Sequence, residues 1–389
     1  MNTHHKKIKV AFFSDVLLRD IDGALKTMYQ LIDRIPTDQF EFMFITGTPP
    51  KKPLPHRLLK VPSIVIPCNA SYKIALPRFY KLKILKELDD FRPDVIHVAT
   101  PSGLGLLGVK YAEQNNIPTI SIYHTHYVSY VKYYFGFIPL VEKAVNKWIL
   151  KRYDEFYNHI NLSYIPSQLM VDAMVGYGVQ RERLKVWARG INTKLFNPEK
   201  RDLAYIQGIT KNDKPKVLFA SRLVWEKNLE TLFSIYDELI RQELDVNLII
   251  AGDGKNVKEA KERMPEAFFL GFLPHNELAR VYASCETMVF PSISETYGNV
   301  VVEAMACGCV PIIARGGGSQ ALVKNGETGF LCEPNNAEEY VQHIKELLSD
   351  KELIENIKQQ GFEYTSRLSW ERLSRTYFSD IKKLAEKSE

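Results

Sequence analysis

The sequence predicts an α/β fold built as two halves in series, each a parallel sheet with helices on both faces. Three observations carry this. Short apolar runs alternate with amphipathic helical patterns from residue 8 to residue 123, and the same alternation restarts at 217 and continues past 310. Between the halves the pattern pauses, and polar and turn residues dominate from Arg189-Gly-Ile-Asn192 through Asn212-Asp-Lys-Pro215. The chain has 389 residues, 45% hydrophobic and 25% charged, so each half can bury a core of its own.

In the first half, 8–13 reads as a buried strand. Residues 23–35 read as a helix with Leu25, Met28, Leu31 and Ile32 on one stripe, and 40–46 as a strand. Helix 79–91, strand 95–99, helix 104–114 and strand 119–123 follow. Ligands of such sheets sit beyond the carboxyl ends of strands. Two loops there hold useful groups, Ser14 to Gly23 and His124-Thr-His126. In the second half the expected strands are 217–221, 246–251, 267–270, 287–290 and 310–313. The expected helices are 229–241, 256–263 and 276–284. A turn at Gly252-Asp-Gly254 and a loop at Gly316-Gly-Gly318 punctuate them. The end reads as helices over 337–348 and 353–385. The expected domains are 1–195 and 196–370, with 371–389 a helix returning towards the first domain.

No apolar signal region precedes the first strand, and no apolar run approaches membrane-spanning length. Five scattered cysteines argue against a disulfide framework. Cys307 and Cys309 have no second pair to complete a zinc site. The expected setting is the reducing cytoplasm. The net charge of +5 hides an asymmetry. Residues 1–202 carry 29 Lys and Arg against 18 Asp and Glu, whereas the remainder carries 22 against 28. A basic half suits an anionic partner. Two of its stretches are basic and aromatic, 72–86 and 127–137. The second runs into a helix with Val141, Ala144, Val145, Trp148 and Ile149 on one stripe and Lys143, Lys147 and Lys151 off it. Such segments suit an anionic membrane surface. The simpler expectation is that the stripe packs on the domain core and the lysines are solvated. No nucleic-acid-reading module is present.

The richest stretch is Phe290-Pro-Ser-Ile-Ser-Glu295-Thr-Tyr-Gly298-Asn-Val-Val-Val-Glu303-Ala-Met-Ala-Cys-Gly308. It reads as a strand, a polar loop and a small-residue helix starting near Gly298. Glu295 then lies in the loop, and Glu303 lies roughly 7 Å along the helix axis. The two carboxylates and the free N–H groups of the helix start suit a ligand with hydroxyl and phosphate oxygens. An N-cap carboxylate plus a solvated glutamate fits the same pattern. Upstream, Arg222 and Lys227 share a strand-to-helix loop, where two cations suit a diphosphate or a surface salt bridge.

Together these residues carry a resemblance. Arg222-x4-Lys227, Gly271-Phe-Leu-Pro-His-Asn-Glu-Leu278, Phe290-Pro-Ser292 and the Glu295-x7-Glu303 pair resemble the family-4 retaining GT-B glycosyltransferases, most strongly over 216–335. The resemblance implies two Rossmann-like domains facing across a cleft, with the terminal helix crossing back. It implies a nucleotide-diphosphate sugar donor, UDP- or GDP-linked, held mainly by the second domain. By matching position, Arg222 and Lys227 bind the diphosphate and Glu303 the ribose. Glu295 binds the donor sugar, with backbone N–H groups of Tyr297, Gly298, Asn299 and Val300. Gly23 matches the family's glycine-rich loop near the donor phosphate, although the double glycine is absent because Asp22 and Ala24 flank it. His124 matches the active-site histidine that meets the donor sugar. The implied catalytic set is His124, Arg222, Lys227 and Glu295. Val186-Trp-Ala-Arg189-Gly190-Ile-Asn192 and Phe196-x-Pro198 match the interdomain segment of lipid and mannolipid sugar transferases.

The implied reaction moves a hexose to an acceptor hydroxyl with the α configuration kept. The hydroxyl attacks on the face that the phosphate leaves, and the leaving phosphate helps to deprotonate it. Each well-placed protein donor contributes on the order of 3 kcal/mol. The expected acceptor is lipid-linked or a cell-envelope glycan, and the expected location is cytoplasmic, peripheral on the inner face of the membrane. Asp20-Ile-Asp22 fits a D-x-D metal pattern, but such matches arise by chance. We expect no required metal and no cofactor beyond the sugar nucleotide, which is a substrate. The competing expectation is a nucleotide-sugar epimerase or a sugar phosphorylase on a similar two-domain fold.

Overall fold

The structure, a computed structural model, describes residues 6–19, 23–66, 69–124 and 139–387. Asp20, Asp22, His126 and the 127–137 stretch lie outside the described residues. The chain forms two compact units, one of residues 1–188 with 371–389 and the other of 189–370.

The first unit is built on seven parallel strands in the order β3-β2-β1-β6-β7-β8-β9. These are β1 Ile8–Val16, β2 Phe40–Thr48, β3 Arg57–Lys60, β6 Val95–Val98, β7 Thr119–Ile122, β8 Leu162–Ile165 and β9 Leu184–Val186. Strand β1 is central because both its faces are apolar. Val10, Ala11, Phe12 and Phe13 are all buried, as a strand covered by helices on two sides requires. β1 pairs with β2 on one side and β6 on the other, so the strand order reverses there and the loops after β1 and β6 diverge around a crevice. An antiparallel hairpin, β4 Ser63–Ile66 with β5 Asn69–Ala75, interrupts the alternation and was not expected. The short strands β3, β8 and β9 were also missed, because runs of three or four residues give too little periodicity to read.

The second unit has six parallel strands in the order β12-β11-β10-β13-β14-β15. They are β10 Lys216–Ala220, β11 Asn247–Ala251, β12 Phe268–Gly271, β13 Thr287–Phe290, β14 Val310–Ala314 and β15 Phe330–Cys332. Here the reversal lies between β10 and β13, which pair directly. The loops that leave these two strands are the Arg222–Lys227 loop and the Glu295 loop.

Three expectations are corrected. The helix expected over 353–385 is two helices, Lys351–Ser366 and Trp370–Glu386. No proline or glycine marks the break; the Ile191 N–H donates to Leu368 O at 2.8 Å and Ile191 bridges Ser369. The division between units falls at 188/189, ahead of the expected 195/196, because Arg189 and Ile191 bond within the second unit. The helix Pro139–Tyr157 does not bury its whole stripe. Ile149, Tyr153, Phe156 and Tyr157 are in the core, but Leu140, Val141, Ala144 and Trp148 are exposed. The apolar periodicity is continuous, whereas the domain surface beneath it is not.

Helix Trp370–Glu386 belongs to the first unit from Glu371 onward. Trp187 Nε1 donates to Leu373 O at 3.2 Å, the Tyr377 hydroxyl meets His97 Nδ1 at 2.7 Å, and Asp380 accepts from both Tyr164 and Lys185. His97 is fully buried and stacked on Phe12, and burial holds its imidazole down to about 3. Among the described residues no helix is long and apolar enough to cross a membrane.

Candidate active site

The second unit brings Lys227 and Glu295 together. Lys227 ends a 3-10 turn, Trp225–Lys227, in the loop after β10, and Glu295 lies in the loop after β13. Their ammonium and carboxylate form an ion pair although 68 residues separate them, with 7% and 20% of the side chains exposed. A lysine this buried needs a counter-charge, because an unpaired ammonium out of water costs several kcal/mol, roughly. Arg222 is placed differently. Its guanidinium is 61% exposed and pairs with Glu226 at 3.1 Å, one helical turn on. The sequence treated the two cations as equals, and the structure gives only Lys227 to the carboxylate.

Neighbouring loops hold this pair in place. Asn228 adopts φ 56° and turns its amide into the strand ends, donating to Pro291 O and Pro334 O at 3.2 Å each. The Ser294 hydroxyl donates to Glu226 O at 2.7 Å, tying the Glu295 loop to the lysine turn. Gly252 and Gly254 lie against the backbone of Ser221 and Leu223, where a Cβ would fall 1.8 Å and 2.3 Å from carbonyl oxygens. The three glycines 316–318 play the same part under the Glu295 loop. A Cβ at Gly317 would be 2.3 Å from Ile293 O, one at Gly318 would be 2.0 Å from Thr296 O, and the Gly318 N–H donates to Glu295 O at 2.6 Å.

The helix that follows runs Asn299–Ala306, with Gly298 at its N-cap in a left-handed conformation (φ 90°) and no side chain capping it. Its first N–H groups therefore remain available for an oxyanion. The Ser319 hydroxyl is fully buried against Gly298 with no hydrogen-bond partner. Tyr297 serves the loop as an anchor. Its ring is buried, its hydroxyl donates to Arg189 O at 3.1 Å, and the Arg189 guanidinium lies 5.7 Å from the ring centre. Glu303 is half-buried on the same helix. It lies beside the Tyr282 hydroxyl, which burial and then the Glu303 charge push well above the usual range.

In the first unit, His124 follows β7 and is buried. It lines a cavity of about 510 Å³ at the β1/β6 reversal, with Ser14, Asp15, Thr100, Leu106 and Tyr153 among its walls. Gly23 begins the helix Gly23–Ile32, and the next residue, Ala24, lines the same cavity. Sequence reasoning missed Asn228, Ser294 and the bracing role of 316–318. Three successive glycines after a strand were the available signal for the last.

Among the described residues, Cys332, Glu339 and His343 place ligand-type atoms within 4.8 Å of one another. Two of the three already have other partners. His343 stacks on Phe330 at 4.1 Å and meets Glu346 at 3.0 Å, and Glu339 accepts the Glu333 N–H.

Residues 204–364 match the family model described as glycosyl transferases group 1, and residues 21–195 match the one described as glycosyltransferase family 4. The chain belongs to glycosyltransferase family 4. It is 32% identical to a sulfoquinovosyl transferase of Arabidopsis thaliana over 78% of this chain, and spans 59% of that protein's length. A GDP-mannose-dependent α-mannosyltransferase of Corynebacterium glutamicum is 28% identical over 95% of this chain and 87% of its own. An α-monoglucosyldiacylglycerol synthase of Streptococcus pneumoniae is 27% identical over 79% and 71%. Among solved structures, Anabaena HepE in complex with UDP and glucose superposes with a TM-score of 0.72 at 18% identity, covering 96% of this chain and 99% of that one. A sucrose-phosphate synthase of Thermosynechococcus elongatus gives 0.77 at 21%, covering 97% and 99%. The architecture of this glycosyltransferase is GT-B: two domains with parallel sheets.

Proposed function

We propose that this family-4 enzyme is a retaining hexosyltransferase that moves a sugar from a UDP- or GDP-linked donor to the hydroxyl of a lipid-linked or envelope-glycan acceptor, forming an α-glycosidic bond. The observation that carries the reading is the Lys227–Glu295 pair at the strand-order reversal of the second unit. A sugar nucleotide has a hydroxyl-rich ring bonded directly to a phosphate. A site for that junction needs a hydrogen-bond acceptor and a cation side by side, which this pair supplies. Lys227 and the N-terminal N–H groups of helix Asn299–Ala306 take the diphosphate, whose charge grows as the bond breaks. Glu295 takes sugar hydroxyls, Glu303 the ribose, and Arg222 joins the phosphate by leaving Glu226. Gly23 and His124 act from the first unit. The acceptor hydroxyl attacks on the leaving-group face and loses its proton to the departing phosphate, and no metal is required.

The acceptor reading rests on the first unit and on the relatives whose names carry a diacylglycerol group. Phe79, Leu82, Leu140 and Trp148 stand in solvent beside the exposed Lys81, Lys83, Lys86, Lys143, Lys147 and Lys151. Apolar side chains interleaved with lysines fit an anionic bilayer.

The test is to incubate the protein with UDP- and GDP-sugars, with and without membrane lipid extract. Nucleoside diphosphate release that depends on acceptor and survives EDTA is expected. Isomerised sugar nucleotide without any diphosphate release would overturn the reading in favour of an epimerase.

A further inference from the structure

We infer that the cavity of the first unit is a slot for the hydrocarbon chain of the acceptor, so that the enzyme selects its substrate by tail as well as by head. The inference rests on the lipid-acceptor reading above and assigns one feature which that reading leaves unused.

The cavity, about 510 Å³, is within the range of ligand pockets. Several of its polar wall groups are already bonded, although His124, Lys73 and Arg152 also line it. The Thr100 hydroxyl donates to one carboxylate oxygen of Asp15 at 2.9 Å, and the Ala75 N–H donates to the other at 2.9 Å. The Ser14 hydroxyl donates to Val16 O at 2.7 Å, and Ser102 caps its helix by accepting the Gly105 N–H at 3.1 Å. Most of the remaining wall is aliphatic and aromatic carbon from Leu25, Met28, Leu106, Ile149 and Trp148. Against that carbon a sugar or a phosphate would lose water with no donor or acceptor in exchange. A hydrocarbon loses nothing, and apolar chambers of this kind take apolar guests; an engineered cavity of roughly 150 Å³ holds one benzene. By that scale this one holds an aliphatic chain on the order of 10–20 carbons.

The mouth has the chemistry of a lipid surface. Trp148 lines the cavity and is 59% exposed, with the Arg152 guanidinium 5.6 Å from its ring centre. Ile74 and Lys73 also reach both the cavity and solvent. A Cβ added at Gly103, on the cavity wall, would meet Pro77 at 3.8 Å, and Pro77 begins the turn that carries the exposed Phe79. Of the apolar residues that stand in solvent, Ile74 and Trp148 line the cavity. His124 lies on the same wall, so a chain lodged in the slot leaves its head group near the residue assigned to the reaction.

The test uses the full chain and 1-monoacylglycerols of six to twelve carbons, each below its micelle concentration, titrated calorimetrically without donor. Affinity should rise about fourfold per methylene until the slot is full. Leu106→Trp, which occupies the chamber, should end that rise at a shorter chain. Trp148→Ala, at an exposed position that folding tolerates, should weaken every chain length several-fold. Absence of saturable binding, affinity independent of chain length, or identical length profiles in wild type and both variants would overturn the slot. Acceptor-dependent release of nucleoside diphosphate, measured in parallel, reports on transfer alone. If tail binding fails while release persists, the slot is wrong and the transferase reading stands; if release fails while tail binding persists, the converse holds.

Discussion

Gly318→Ala isolates the loop geometry on which the proposed donor site depends. The residue has no need of a left-handed backbone, so alanine brings no conformational penalty of that kind. Its new methyl carbon would sit 2.0 Å from Thr296 O and 2.9 Å from Glu295 O. Nonbonded atoms rest near 3.5 Å, so the Thr296 carbonyl must retreat by about 1 Å or more. That carbonyl adjoins Glu295, whose own carbonyl accepts the Gly318 N–H. A misplacement of this size costs roughly 100-fold in rate, or about 2.7 kcal/mol of barrier. Overpacking of a buried contact costs stability of only about 1–3 kcal/mol, so the protein remains folded. Initial rates of nucleoside diphosphate release, donor affinity by calorimetry and urea unfolding separate the two effects. Gly208→Ala is the control, since nothing lies within 4 Å of that exposed helical position. It should leave the rate unchanged and raise stability by up to about 1 kcal/mol. A folded Gly318→Ala enzyme whose kcat/KM stays within about threefold of wild type refutes the bracing argument.

Lys227→Ala should abolish most turnover and, by leaving Glu295 without its cation, cost stability of about 3 kcal/mol, the lower end for buried pairs because Glu295 keeps some solvent. Combining Lys227→Met with Glu295→Gln should restore stability in urea but not activity; restored activity would remove both from the donor site. Arg222→Ala should change stability by less than about 0.5 kcal/mol and turnover less than Lys227→Ala does, since Arg222 is exposed. His97 makes stability depend on acid. Its folded pKa of about 3 lies below the unfolded 6.5, so its contribution is complete above that value and falls as pH drops towards 3. Between pH 7 and pH 5 the loss is about 2 kcal/mol, and a His97→Asn variant should lack that slope in urea midpoints. For the proposed membrane contact, Leu82→Glu should reduce flotation with anionic liposomes at low salt; wild-type protein left at the bottom of the gradient would dismiss that contact.

Much of the fold was legible because its signals are local. Residues 10–13 and 217–220 are unbroken apolar runs within β1 and β10, and the helix at 229–241 has a clean stripe. The hairpin of Ser63–Ile66 and Asn69–Ala75 was not legible, since its exposed Ile64, Val65 and Ile74 give no alternation between a buried and a solvated face. The stripe from Val141 to Ile149 misled in the opposite sense. Its periodicity is that of a core helix, but Val141, Ala144 and Trp148 are exposed among the described residues.

The sequence by itself determined the two α/β units and the residue types carried by the loops after β10 and β13. Helical and strand periods, turn residues and strand ends are properties of a few neighbouring residues, so they can be read in order. Only the tertiary structure decided which cation meets Glu295, which glycines brace its loop, where the terminal helix breaks and which apolar residues stay in solvent. Each of these depends on a contact between segments far apart in the chain, and burial is a property of both partners.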